Sequence, residues 1–186
     1  MKVLIIGAHP DDEILGCGGV YSKLEKAGHQ VFCFVITSGR TDKDDQRLDL
    51  LGQLEVNKII EKEIEEFKPD AVFTHFIGDL NKDHQMVAEA TMVACRPQSG
   101  VKEIYSYETP GSAGVSIIPF KPDTYFELDY WDLKFKREKM KLFYEKELKK
   151  YPHARSIEGI GILAEFRGSE INTKYAEAFM TIRRIR

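Results

Sequence analysis

The stretch Val3-Leu4-Ile5-Ile6-Gly7-Ala8-His9-Pro10-Asp11-Asp12-Glu13 runs from four consecutive apolar residues through a glycine into a histidine and three acids. A short, uninterrupted apolar run is the signature of a strand buried on both faces of a parallel sheet. Ile14, Leu15, Val20, Leu24 and Ala27 follow at helical spacing until Gly28. The pattern repeats outward from there. Val31–Ile36 reads as a second buried strand, ending in Thr37-Ser38-Gly39. From Leu54, the spacing of Ile59, Ile60, Ile64 and Phe67 marks an amphipathic helix that Pro69 stops. Ala71–Thr74, Met86–Cys95 and Ile104–Tyr107 then read as strand, helix and strand, the helix halted before Pro97. This β-α-β-α-β-α-β order predicts an α/β fold, a three-layer, mostly parallel, Rossmann-like sheet with helices on both faces. In such a sheet the ligand crevice lies beyond the carboxyl ends of the strands. The second half is less regular: Pro110–Pro122 reads as a loop, Phe126–Leu128 as a strand, Leu133–Leu148 as a basic amphipathic helix and Ala178–Ile182 as a last strand. No repeat or linker divides the 186 residues, so residues 1–186 are expected to form one domain.

Composition narrows the classes. Apolar residues make up 42% and charged residues 31%, as in an ordinary globular chain, and the net charge of −3 argues against a nucleic-acid or membrane-surface partner. No window approaches the ~20 apolar residues of a membrane span. Three widely spaced cysteines, with no CxxC, fit a reducing, cytoplasmic setting better than a disulfide framework. Cys17 and Cys95 read as small buried hydrophobes.

Histidines and carboxylates gather where the fold predicts a site. His9, Asp11, Asp12 and Glu13 follow the first strand; His75, Asp79, Asn81, Asp83 and His84 follow the third. His9 and Asp12 are three residues apart at a helix start, so one turn can aim both the same way. With His84 approaching from the neighbouring loop, two imidazoles and one carboxylate form the open ligand set of a catalytic zinc site. Asp11 adjoins these ligands without being one, which suits a general base. The plainer reading makes the acids first-turn partners of a helix dipole and His84 a surface histidine. Two acidic histidine loops at one end of a parallel sheet favour the metal.

These residues also carry a family resemblance. Ala8-His9-Pro10-Asp11-Asp12-Glu13, Thr37-Ser38-Gly39, Thr74-His75, Asp79-Leu80-Asn81-Lys82-Asp83-His84, Ala94-Cys95-Arg96-Pro97, His153-Ala154-Arg155-Ser156 and Tyr175-Ala176-Glu177-Ala178-Phe179 resemble the PIG-L/LmbE-type zinc deacetylases. The resemblance implies Zn²⁺-dependent removal of an N-acetyl group from a small amino sugar or its conjugate, releasing acetate. It implies metal ligands at His9, Asp12 and His84 and a general base at Asp11. Members of that family often have a histidine near the last ligand that stabilises the oxyanion; Asn81 stands in its place here, and His153 matches the family's late histidine. A substrate-contacting segment is shortened after Gly39-Arg40, which predicts an open cleft suited to a large or extended substrate, with Arg40, or Arg47 in its stead, and Arg155 as the substrate-binding arginines. Arg155 is also expected to pair with Glu177. The family's habits and the aromatic-rich second half favour a homo-oligomer.

Two alternatives stand beside this reading. One is a metal-binding member of the same fold with impaired catalysis, given Asn81 and the shortened segment. The other is a receiver-like phosphoacceptor domain, which needs an aspartate where the third strand here ends in Thr74-His75. Gly16, Gly18 and Gly19 lie inside the first helix, so they read as packing glycines, not as a phosphate loop. Trp131, Phe135, Leu142 and Phe143 are expected in the core or at a subunit contact.

Overall fold

The structure is a computed structural model, and it describes residues 1–37, 48 and 51–186. In chain order it contains β1 (Lys2–Gly7), α1 (Asp12–Lys26), β2 (Gln30–Val35), α2 (Gln53–Phe67), β3 (Ala71–His75), α3 (Lys82–Ala94), β4 (Glu103–Tyr107), β5 (Thr124–Leu128), α4 (Tyr130–Phe143), α5 (Ile157–Ser169) and β6 (Tyr175–Arg184). One six-stranded sheet has the order β2-β1-β3-β4-β6-β5. The first four strands are parallel, as the alternating pattern predicts; β6 runs antiparallel to both β4 and β5. The sheet is therefore mixed, with one reversed strand.

Strand alternation sorts the core into two layers. Val3 and Ile5 of β1, Ala71 and Phe73 of β3, and Tyr105 and Tyr107 of β4 pack against α1, α4 and α5, through residues such as Leu15, Leu133, Met140, Ile160 and Ala164. Leu4, Ile6, Val72 and Ile104 point the other way, onto Val56, Ile60 and Ile64 of α2 and Val87, Ala90 and Ala94 of α3. Cys17 and Cys95 are fully buried in these layers.

The glycines of α1 make room for close neighbours. A Cβ on Gly16 would collide with the Tyr107 ring, one on Gly18 would meet Lys136, and one on Gly19 would meet Leu128 and the Glu177 carboxylate. Lys136 and Glu177 form a buried ion pair at 2.6 Å against this face. Glu177 accepts from the N–H groups of Gly19 and Val20, and Lys136 donates to the Leu15 carbonyl. The Leu15 carbonyl and the Gly19 N–H are the two groups an unbroken α-helix would pair with each other.

Several sequence expectations need correction. Glu177 pairs with Lys136 and the α1 backbone, not with Arg155. The helix expected over Leu133–Leu148 begins at Tyr130, capped by Asp129, and stops at Phe143. Its buried residues are Asp132, Leu133, Lys136 and Met140; of the set expected in the core or at a subunit contact, Trp131, Leu142 and Phe143 are exposed and so stand outside the core, and Phe135 stacks on Tyr21. α5 was not expected at all. No described helix is long and apolar enough to cross a membrane.

A candidate metal centre beside a polar cavity

The sheet order reverses at β1, with β2 on one side and β3 on the other. That switch point opens a crevice at the strand ends, and the segments after β1 and β3 line it. Pro10 and Asp11 lead into α1, and Asp11 takes a left-handed backbone, φ +104°, that a non-glycine residue rarely holds. Asp11 occupies the N-cap position without a side-chain capping bond, so its carboxylate is left free to face the cavity. The Asp12 carboxylate folds back to accept from the His9 N–H at 2.8 Å. α3 begins four residues earlier than its apolar pattern implied. Asn81 is its cap, accepting from the Asp83 N–H, and His84 sits in the first turn.

These turns bring His9, Asp12 and His84 together: one ligand atom from each lies within 4.8 Å of the others. The His84 Nε2 is 3.4 Å and the His9 Nδ1 3.5 Å from the Asp12 Oδ2. The far nitrogen of each histidine faces a further carboxylate. His9 Nε2 is 2.8 Å from Asp83 Oδ2, and His84 Nδ1 is 3.2 Å from Asp79 Oδ2, the latter a charge contact off the hydrogen-bond axis. A carboxylate behind an imidazole orients it and raises its basicity, the arrangement found behind histidine ligands of metals. Two nitrogen donors and one carboxylate, each with an orienting partner, fit a divalent metal such as zinc.

His75, at the end of β3, was read from sequence only as a member of the cluster. It is fully buried and stacks on His84 with ring centroids 4.0 Å apart. Its Nε2 accepts from the Ala8 N–H at 3.0 Å, and its Nδ1 faces Thr109. Tyr107, whose hydroxyl donates to the Ile6 carbonyl, lies against the same ring. A backbone donor on Nε2 requires the neutral tautomer. Burial first, then the charge of His84, pushes the His75 pKa down to about 4. His84 goes the other way. Burial works against its charge, but Asp12 and Asp79 prevail and raise it to about 9. Burial likewise disfavours the Asp12 carboxylate, yet His75, His84 and His9 hold it well below its usual range.

Above this cluster lies a cavity of about 420 Å³. Asn81 and the Thr109–Ser112 segment form one side, and Glu147, His153 and Arg155 of the segment before α5 form another. Arg155 contacts the Asp11 carboxylate directly. His153 is exposed at the rim and accepts the Arg155 N–H on its Nδ1 at 3.0 Å. The expected site residues His9, Asp11, Asp12, Asn81, His84, His153 and Arg155 thus share one cavity. Arg40 and Arg47, and the shortened segment on which the open cleft depended, lie outside the described residues.

A family model described as PIG-L: GlcNAc-PI de-N-acetylase matches residues 4–54. Over 148 residues the chain is 32% identical to the uncharacterized deacetylase YaiS of Escherichia coli (strain K12), covering 63% of this chain and 78% of that protein. Among solved structures, GalB from Pseudomonas putida KT2440, a 4-carboxy-2-hydroxymuconate hydratase, superposes with a TM-score of 0.73 at 16% identity, covering 100% of this chain and 98% of its own. The N,N'-diacetylchitobiose deacetylase of Pyrococcus horikoshii gives 0.66 at 20% identity, covering 98% of this chain and 84% of its own. At such identities the structural likeness speaks for the fold alone, and this fold carries both a hydratase and a deacetylase.

Proposed function

The chain belongs to the PIG-L/LmbE family of deacetylases, and from that premise we propose that it is a zinc-dependent hydrolase of a small N-acetylated amino sugar or its conjugate, acting as one domain over residues 1–186. The observation that carries this reading is the cluster of His9, Asp12 and His84 on the cavity floor, with the Asp11 carboxylate beside it and free of capping duty. Zinc in a set of two histidines and one carboxylate supplies Lewis acidity, acidifying water and polarising a carbonyl.

The protein's own residues do the rest. His9, Asp12 and His84 would hold the ion, and Asp83 and Asp79 fix the two imidazoles from behind. Asp11 takes a proton from the attacking water as its oxygen bonds to the acetyl carbon and the carbonyl electron pair moves onto oxygen. When the C–N bond breaks, Asp11 returns that proton to the amine nitrogen, so one water and one amide yield acetic acid and an amine, which separate as acetate and the ammonium form. Asn81, His153 and Arg155 face the same space and are assigned to the substrate and its developing charge.

The test is acetate release from a panel of N-acetylated amino sugars by zinc-loaded and chelated protein. Zinc-dependent release and one zinc per chain are expected. Asp11→Ala is expected to keep the metal and lose about 10²–10⁴-fold in kcat. Loss of metal in that variant makes Asp11 a ligand instead. Bound zinc without release from any member of the panel favours a metal-binding protein that has lost catalysis.

A further inference from the structure

We infer that Arg155 is the oxyanion-stabilising residue of this site, donating to the acetyl oxygen as negative charge builds on it. The inference rests on the deacetylase reading above and goes beyond it in naming the group that carries the charge. Arg155 is the one permanent cation among the described residues lining the cavity. One arm of its guanidinium contacts Asp11, while its Nε–H is buried and has no hydrogen-bond partner. Buried donors without partners are rare and call for an explanation, and here the donor belongs to a residue of the cavity wall.

Charge movement during the reaction explains the pairing with Asp11. Before attack, the Asp11 carboxylate balances the guanidinium. Proton transfer from water neutralises Asp11 at the moment the acetyl oxygen becomes anionic. The cation therefore loses one counter-charge as another forms within reach, and can turn to it without leaving its place. When the C–N bond breaks and Asp11 gives up its proton to the amine, the original pair is restored. A donor held in place and aimed at developing charge is the arrangement that lowers a barrier most.

The backbone around Arg155 is fixed accordingly. The Arg155 carbonyl accepts from the Lys149 N–H, the His153 carbonyl accepts from the Ser156 N–H, and Ser156 caps α5 through the Gly159 N–H. Gly159 lets this loop lie directly on the helix, since a Cβ there would sit 2.6 Å from the Ala154 carbonyl oxygen. The two other candidates are weaker. Asn81 is neutral, and its side-chain oxygen is committed to the Asp83 N–H. His153 is exposed at the rim, and its Nδ1 is already engaged by the Arg155 N–H.

The experiment uses zinc-loaded wild type, Arg155→Met, Arg155→Lys, Arg155→Ala and His153→Gln, each checked for metal content. Calorimetric titration with methylphosphonate, a tetrahedral anion shaped like hydrated acetate, reads the anion site without turnover. Kinetics on N-acetylated sugars read kcat and KM separately. Arg155→Met is expected to keep zinc, to bind methylphosphonate at least about tenfold more weakly, and to lose about 10²–10³-fold in kcat with KM little changed. Arg155→Ala is expected to regain at least about tenfold in kcat on adding guanidinium chloride, a rescue that a structural role would not produce. Unchanged methylphosphonate binding in Arg155→Met, an effect on KM alone, or transfer of the whole loss to His153→Gln overturns the assignment. So does a wild-type protein that fails to bind methylphosphonate. If no N-acetylated sugar is hydrolysed while methylphosphonate binding still depends on Arg155, the sugar reading falls, the anion site at Arg155 remains, and the kinetic comparison moves to other N-acetylated amines, where a loss confined to KM overturns the assignment.

Discussion

Free of metal, this protein should carry two stacked histidines that titrate in opposite directions, and the stability of that form should record both. His84 has a folded pKa of about 9 against an ordinary 6.5. Its raised value means that protonated, carboxylate-paired His84 stabilises the fold fully below pH 6.5. That contribution is lost as pH rises through 9. At ~1.4 kcal/mol per pKa unit the effect is roughly 3 kcal/mol, or roughly 6–12 °C in Tm for a chain of this size. His75 is depressed to about 4, so its neutral, buried form favours the fold above pH 6.5 and loses that advantage as pH falls toward 4. The metal-free melting temperature should therefore peak near pH 6.5 and decline on both sides. Thermal melts of chelated protein from pH 5 to 10 measure this directly. Zinc-loaded protein should behave differently on the alkaline side, because zinc needs the neutral imidazole and its apparent affinity rises with pH until His84 has lost its proton. Asp79→Asn removes the carboxylate 3.2 Å from His84 Nδ1 and should flatten the alkaline limb of the metal-free curve. A wild-type curve that is flat from pH 6.5 to 9.5, or an alkaline limb that Asp79→Asn leaves unchanged, refutes the reasoning.

Three further outcomes follow from contacts already described. Asp83→Asn removes the carboxylate behind His9 and should weaken zinc binding about 10–100-fold in a competition titration, with the fold intact. Lys136→Met strands the buried Glu177 carboxylate and should destabilise the protein by about 3–5 kcal/mol in urea unfolding. Gly16→Ala places a Cβ against the Tyr107 ring, which lies beside His75. It should destabilise by about 1–3 kcal/mol despite the ~1 kcal/mol that alanine normally adds in a helix.

What could be read in advance was local or periodic. The apolar runs of β1, β2, β3 and β4 and the spacing within α1 and α2 placed six elements close to their observed limits. The helix-start spacing of His9 and Asp12 pointed both into one cavity. α5 escaped because Gly159, Gly161 and Gly168 interrupt its pattern, each serving a close approach: to the Ala154 carbonyl, to Arg137 and to the Thr173–Lys174 backbone. The partners of Arg155 and Glu177 lie on loops and helices 41 to 158 residues apart in sequence, which no spacing rule can pair. The insertion of β6 between β4 and β5 is likewise a long-range choice. Asp79 was within reach of local reasoning, since a carboxylate five positions before a histidine at a helix start can meet its ring, whereas Asp83 meets His9, 74 residues away.

The place of β6 sets an order of events during synthesis. The three proposed zinc ligands all lie within the first 84 residues, on turns that need only β1, β3 and their helices. The wall bearing Arg155 arrives some seventy positions later, and β5 has no neighbour until β6 has been made. While residues 175–184 are still inside the ribosome, the β4 edge is an open template for any passing strand. Zinc captured by the nascent first half would sit in a cluster not yet roofed, within reach of cellular chelators.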